Sequence, residues 1–286
     1  MVASSYVFDP ADPRAPSQEV WDALTDEARR EIVANLPSEI PRAGPPEGDP
    51  HSWPKARARE ALGQWFRSKG RSVYLGSELP VYYPDEPMFA PDLIAVLDVE
   101  THHRMAWVVS DEGKGLDFVL EIHVSGDRHK DAVVNVERLA RLGVPEYFFY
   151  EPLRRRIAGH RLPRSGATSY EPIIPQGGRW SSLVLDLDLA IDQDGLRFFA
   201  GPAPLPDARE LIEQLSAMVD GAVERAEGEA ARAQEEAARA HEEAARAQEE
   251  AARAQEEAAR AQEEAARADR LAAKLRELGV DPESLE

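Results

Sequence analysis

The chain has 286 residues, 43% hydrophobic and 30% charged, which is enough for one substantial core and an accessory segment. It contains no cysteine, which excludes disulfides and thiolate metal sites. Its sequence contains no run of about 20 apolar residues, so we expect no membrane contact and a cytoplasmic location. The net charge is −19, and residues 207–286, with 22 acidic and 11 basic side chains, supply −11 of it. Because an acidic surface repels a phosphate backbone, any nucleic-acid groove would have to use local basic clusters.

Residues 1–50 are predicted to be a Pro-rich extension around one helical pattern, SQEVWDALTDEARREIVANLP. Its last part, IPRAGPPEGDP, is predicted to be a linker. A second helix is predicted in KARAREALGQWFRSKG, where Leu62, Trp65 and Phe66 form an apolar stripe and Gly70 follows the last turn. This helix lies near the start of the predicted core domain, residues 51–205.

Short apolar runs typical of strands follow this helix. They are RSVYLGSELPVYY, DLIAVLDV, MAWVVS and LDFVLEIHV. The next segment, HKDAVVNVERLARLG, has helical spacing, with Val133, Val136, Leu139 and Leu142 predicted to face inward, and the aromatic strand PEYFFYEP comes after it. This order of elements predicts an α/β fold with one central mixed sheet flanked by helices.

The unit AARAQEE repeats every seven residues from Ala230 to about Arg267, with His241 in place of one glutamine. Alanine is the best helix former, and Glu235 lies four residues before Arg239, a favourable spacing for a helical ion pair. We therefore predict one long charged helix within residues 206–286. Alanine at the a and d positions buries little area, which leaves two alternatives: a solvated spacer, or a coiled coil that makes a homo-oligomer.

Two carboxylates occur in or beside the apolar strands. Asp92 follows Pro91 at the start of DLIAVLDV, and Glu121 lies inside LDFVLEIHV, with His123 on the same face two residues later. A carboxylate inside an apolar strand must be paired, hydrogen-bonded or bound to a metal. Two oxygen ligands from neighbouring strands suit Mg²⁺, which can activate water in phosphodiester hydrolysis. Spacing alone leaves another interpretation, in which Asp92 caps a turn and Glu121 pairs with an arginine.

Three segments resemble the Uma-type putative restriction endonuclease family of the PD-(D/E)xK nuclease superfamily. They are FAPDLIAVLDVE, WVVSDEGKGLDFVLEIHVSGD and, most specific, RLARLGVPEYFFYEP. The resemblance covers roughly residues 50–200. It implies a restriction-endonuclease-like core in the order α-β-β-β-α-β, and an endonuclease that uses Mg²⁺ or Mn²⁺ to cleave DNA.

The same resemblance assigns roles to individual residues. It implies that Asp92 and Glu121 bind the metal and act in catalysis, and that Glu60, on the helix before the first strand, completes the ligand set. In the superfamily a lysine stands two residues after the glutamate, and here that residue is His123. In many relatives the lysine lies on the following helix instead, where the matching residue is Asn135.

Three residues are candidates to replace the lysine. His123 could act as a general base or as a third metal ligand, because imidazole titrates near neutrality. Lys130 precedes the helix and could reach back, and Lys114 lies on the turn before the acidic strand. The missing lysine also motivates a second hypothesis, a catalytically silent scaffold that bridges partners through its C-terminal helix.

Overall fold

The computed structural model describes residue 6 and residues 8–38, 48–126 and 128–277. Most of the predicted linker and the last nine residues of the predicted tail lie outside these ranges. The chain divides into two units, the first ending at Ile212 and the second starting at Glu213. The domain boundaries predicted after residues 50 and 205 stay predictions.

The described residues form six α-helices and twelve strands. The helices are α1 Gln18–Ala23, α2 Asp26–Asn35, α3 Asp49–Ser68, α4 Val109–Glu112, α5 Asn135–Arg141 and α6 Ala208–Glu277. The strands are β1 Val73–Gly76, β2 Val81–Tyr82, β3 Leu93–Leu97, β4 Trp107–Val108, β5 Phe118–Ile122, β6 Glu146–Glu151, β7 Arg156–Arg161, β8 Glu171–Pro172, β9 Trp180–Ser182, β10 Leu187–Asp192, β11 Gly195–Ala200 and β12 Ala203–Pro204.

A central mixed sheet confirms the predicted α/β fold. Its strand order is β1-β3-β5-β6-β7-β8, in which β5 and β6 run parallel and all other neighbours run antiparallel. One face packs against α3 through Leu62 and Phe66, and the other packs against α5 through Leu139. A strand covered on both faces must be apolar throughout, which explains why all five residues of β3 are buried.

The described residues form three sheets, whereas the sequence predicted a single central sheet. Strands β9 to β12 form a separate four-stranded antiparallel sheet, and β2 pairs with β4 in a parallel two-stranded sheet. Alternating apolar residues identify strands, but pairing partners depend on contacts distant in sequence.

Two helical predictions need correction. The single N-terminal helix is instead two, because the Thr25 side chain accepts a hydrogen bond from the Ala28 amide and caps a new helix. The helix predicted around α5 begins with a π-helical turn, Lys130–Val134, in which the Asn135 amide bonds to the Lys130 carbonyl. The wider turn changes the helical phase, so Val133 is 39% exposed although the spacing predicted it to face inward.

The predicted long C-terminal helix is confirmed as α6, a continuous helix of 70 residues without a buried side chain. Among the helices of the described ranges, none is both long and apolar enough to cross a membrane.

Candidate active site

Strands β3 and β5 bring Asp92 and Glu121 together. Leu93 pairs with Leu120 in antiparallel register, so the residue before β3 stands opposite Glu121. Directly opposed side chains of an antiparallel pair lie on the same face, with Cβ atoms about 5 Å apart. This face of β5 is the one that packs against α5, because Val119, two residues earlier, belongs to the same apolar cluster as Leu139.

Each of the two carboxylates also accepts a hydrogen bond from a backbone amide at the end of the other strand. The Ile122 amide donates a hydrogen bond to Asp92 Oδ2 at 2.6 Å. The Asp92 amide donates one to Glu121 Oε2 at 3.3 Å. Each strand end therefore positions the side chain of the other, which fixes both carboxyl groups at one end of the sheet.

Burial and charge drive the pKa values of the two groups apart. Burial, followed by the negative charges of Asp92 and Asp131, raises the pKa of Glu121 well above its usual range. Burial also tends to raise the pKa of Asp92, but the hydrogen bond and charge of His51, together with the hydrogen bond from the Ile122 amide and the neighbouring Glu121, lower the value. Because the two carboxyl groups stand opposite each other and their pKa values shift in opposite directions, the arrangement favours a single proton or a single cation held by the pair.

His51, on the first turn of α3, is a site residue that the sequence reasoning missed. Its Nε2 lies 3.2 Å from Asp92 Oδ1. The contact joins residues 41 positions apart, and the Pro-rich segment before α3 contains no periodic pattern that would single out a histidine. Its position directly after that segment, at the start of a core helix, was the only available signal.

A polar network connects Glu121 to His123 through the π-helical turn. The Asn135 side-chain amide lies 3.4 Å from Glu121 Oε1 and 3.3 Å from Asp131 Oδ1. The other Asp131 oxygen lies 3.0 Å from Nδ1 of His123. Asn135, where the resemblance places a lysine, thus contacts the acidic pair as a neutral donor.

Tyr147 supports this turn from the neighbouring strand. Its hydroxyl donates a hydrogen bond to the Asp131 carbonyl at 2.8 Å. Burial, followed by the charges of Glu121 and Asp131, raises the pKa of Tyr147 well above its usual range. The hydroxyl therefore keeps its proton and remains a donor, so Tyr147 both packs the core and positions the network.

Two of the predicted residues lie elsewhere. Glu60 is exposed and stands nine residues after His51, which is about 13 Å along α3 and half a turn around it. Lys114 pairs with Asp117 at 2.9 Å, beside the opposite end of β5 from Glu121. The structure does not bring either residue to the acidic pair.

Lys130 affects the acidic pair through its charge but, among the described residues, is not one of the pair's hydrogen-bond partners. It is exposed on the π-helical turn, one residue before Asp131. Its positive charge opposes the rise in the pKa of Glu121, so the ammonium group acts electrostatically on the acidic pair. His123 also stays beside the network, held by a backbone hydrogen bond to the Tyr150 carbonyl at 2.8 Å.

The donor set for a cation consists of two carboxylates with a histidine beside them. Within the described ranges, no group of three or more histidine, aspartate and glutamate side chains is placed to hold a metal ion, so the protein offers at most the two carboxylates. An open pair suits Mg²⁺, which keeps several waters and takes one or two carboxylates together with substrate phosphate.

Comparison with known proteins identifies the family of the chain. The family model described as "Uma2: Putative restriction endonuclease" matches residues 24–193, more than half of the chain. The chain belongs to this family. The membership confirms the resemblance seen in the Pro-Asp strand, the acidic strand and the Gly-Val-Pro-Glu-Tyr segment.

One similar solved structure is the crystal structure of a putative nuclease belonging to DUF820 from Anabaena variabilis. It is 13% identical, covers 51% of this chain and 79% of its own, and has a TM-score of 0.39. No curated protein matches the chain.

Proposed function

We propose that this restriction endonuclease family member is a divalent-metal-dependent endonuclease that hydrolyses phosphodiester bonds of DNA. The observation that carries the proposal is the opposed pair of Asp92 and Glu121 at one end of the central sheet. A partly buried pair of carboxylates at one end of a sheet is poorly compensated by itself, and a cation would compensate both groups.

The residues present fit Mg²⁺ or Mn²⁺. Asp92 and Glu121 would hold the ion, and His51 would orient Asp92 through their 3.2 Å contact. When bound, the ion would stabilise the negative charge that develops on the phosphate during hydrolysis. Hydrogen bonds between protein groups and ligating carboxylates commonly tune metal affinity, and Asn135 is placed to do this for Glu121.

We assign the proton transfer to His123. When its Nδ1 donates to Asp131, its Nε2 is the nitrogen that can accept a proton. In hydrolysis His123 would accept a proton from the attacking water as the water oxygen bonds to phosphorus. The P–O bond to the leaving sugar oxygen would break, and that oxygen would take a proton from solvent. Lys130 would add positive charge beside the acidic pair, which partly replaces the missing lysine.

The test is a cleavage assay on supercoiled plasmid and single-stranded oligonucleotides, with EDTA, Mg²⁺ or Mn²⁺. Asp92→Asn and Glu121→Gln are each expected to lower metal-dependent cleavage at least about 100-fold, because each neutralises a ligand. His123→Ala should lower it by about 10²–10⁴-fold, the usual contribution of a general base. Glu137→Gln, an exposed carboxylate on α5, is the matched control and should cleave like the wild type.

Unchanged cleavage in both the Asp92 and the Glu121 variants would contradict the proposal. Glu60→Gln tests whether Glu60 or His51 is the α3 residue that acts at the site. The structure predicts little change in metal-dependent cleavage, whereas the sequence prediction of Glu60 as a ligand requires a large loss. His51→Ala should weaken activation by the metal, seen as a higher metal concentration for half-maximal cleavage.

A second candidate function is the catalytically silent scaffold. The observation that favours it is that Asn135 and His123 occupy the two positions where lysine is expected, and neither carries a fixed positive charge. It predicts no cleavage with any metal and no rise in melting temperature on addition of Mn²⁺, since a bound ion must stabilise the folded state. We further propose a cytoplasmic location for the protein.

A further inference from the structure

The repeat in α6 has a consistent heptad phase. With Ala230 at position a, alanine occupies every a position from 230 to 272 and every d position from 233 to 268. The same phase places Val219 and Val223 at d and a before the repeat, and Leu275 at d after it. One continuous small-residue seam with larger apolar residues near both ends therefore follows a helix that has no buried side chain.

The arginines of the repeat lie on the face opposite this seam, beside glutamates of the same helix. Arginine occupies position c and glutamate position f, four residues apart along the same helix. Glu235 and Arg239 lie 3.9 Å apart, and Glu249 and Arg253 lie 4.0 Å apart. These pairs form within one helix, so the residues that could meet a partner across the seam are those at e and g.

Positions e and g, which flank the seam, carry different residues, and this difference favours one orientation of two paired helices over the other. Position g is glutamate in all six heptads from Glu229 to Glu264, whereas position e is glutamine at residues 234, 248, 255 and 262. In an antiparallel pair of helices g faces g, which would oppose glutamates along the whole seam. In a parallel, in-register pair g faces e of the next heptad, which opposes glutamate to glutamine, a hydrogen-bond donor.

We propose that α6 binds the α6 of a second copy of this chain, in parallel and in register, through the alanine seam. Alanine at a and d allows the two helix axes to approach closely, since interaxial distance depends on the side chains at the contact. Val219, Val223 and Leu275 fix the register, because any stagger would place them opposite alanine.

The two irregular e positions affect the interface in opposite directions. Glu236 faces His241 of the second copy, which adds a charged pair when the imidazole is protonated. Glu264 faces Asp269, the single repulsive contact among the g–e pairs of the repeat. Six glutamate contacts would be repulsive in the antiparallel arrangement, so the charge pattern still favours the parallel one. This inference is independent of the proposed nuclease activity.

The absence of cysteine makes the orientation directly measurable in the full-length protein. Ala233→Cys and Ala265→Cys, each alone, should form disulfide-linked dimers under mild oxidation, because both place the two sulfurs across the seam. Glu249→Cys, at the outward position f, is the matched control and should form at least tenfold less dimer. Light scattering should give twice the chain mass of 31.7 kDa.

A second set of variants tests the charge pattern without changing the seam. Gln248→Glu, Gln255→Glu and Gln262→Glu together should raise the dissociation constant of the dimer at least tenfold. Lysine at the same three positions should lower it. A monomeric mass for the wild type at high concentration would overturn the proposal. So would disulfides that form only between Ala233→Cys and Ala265→Cys chains in a mixture, which is the antiparallel result.

Discussion

The unit that ends at Ile212 removes several carboxylates from solvent, whereas every carboxylate of α6 from Glu213 onward is exposed. In the first unit Glu146 and Glu151 are 1% and 3% exposed, and each is held by partners from other strands or loops. In the second unit a glutamate interacts mainly with a residue four positions away, as in the Glu235–Arg239 pair. The first kind of interaction depends on the whole fold, and the second depends only on local sequence.

This contrast predicts different responses to mutation, and the two units can be observed separately. All five tryptophans occur before residue 181, so their fluorescence reports on the first unit. Circular dichroism at 222 nm reports strongly on the 70-residue helix α6.

The largest expected effect is that of Phe148→Ala. The ring is fully buried and lies 5.4 Å from the Phe118 ring, so truncation leaves a cavity between the central sheet and its neighbours. We expect the free energy of unfolding of the first unit to fall by about 3–5 kcal/mol, measured by urea titration of tryptophan fluorescence. Ala254→Gly in α6 should cost only about 1 kcal/mol and should leave the fluorescence transition unchanged. If Phe148→Ala and Ala254→Gly shifted the fluorescence transition equally, the two units would not respond separately to mutation.

A somewhat smaller effect is expected for Glu146→Ala. Glu146 accepts hydrogen bonds from Arg161 Nε at 2.8 Å, the Leu183 amide at 2.8 Å and the Ser182 hydroxyl, which link the central sheet to the second sheet. Its removal leaves three donors without their acceptor, one of them charged, at a cost of about 3 kcal/mol by the same fluorescence titration. Glu171→Ala, an exposed residue of β8, is the control. A loss below about 1 kcal/mol would show that water replaces the carboxylate.

The smallest effect concerns pH. The hydrogen bond from Arg128, followed by the charges of Arg128 and Arg154, lowers the pKa of Glu151 despite its burial. A lowered folded-state pKa stabilises the protein above the unfolded-state value of about 4.3, and this stabilisation is lost as the pH falls through the folded-state value. Because both arginines are substantially exposed, Glu151→Gln should lower the free energy of unfolding by only about 0.5–1 kcal/mol at pH 7.

The difference between Glu151→Gln and the wild type should shrink as the pH falls below about 4.3 and through the lowered folded-state pKa of Glu151. Glu249→Gln in α6 should lower the free energy of unfolding, followed by circular dichroism at 222 nm, by about 0.2–0.5 kcal/mol. If the difference in the free energy of unfolding between Glu151→Gln and the wild type grows as the pH falls, the pKa of Glu151 is not lowered in the folded state.

Much of the candidate site followed from the sequence. The apolar strands around Asp92 and Glu121 predict two buried carboxylates, and the register of β3 with β5 places them opposite each other. His51 did not follow, because its contact with Asp92 depends on how α3 enters the core. The spacing of Asp131 and Asn135, four residues apart on a helix, is one at which both side chains can face the site. The contact of Asp131 with His123 did not follow, because it joins the helical segment to β5.

The sequence by itself determined the long helix, most strand positions and the acidic pair, since these depend on local propensity, periodicity and the need to compensate a buried charge. The tertiary structure alone decided the second sheet, the placement of Glu60 away from the site and the presence of His51 within it. These features depend on contacts between distant residues, and such contacts are selected by the packing of the whole unit rather than by any one segment.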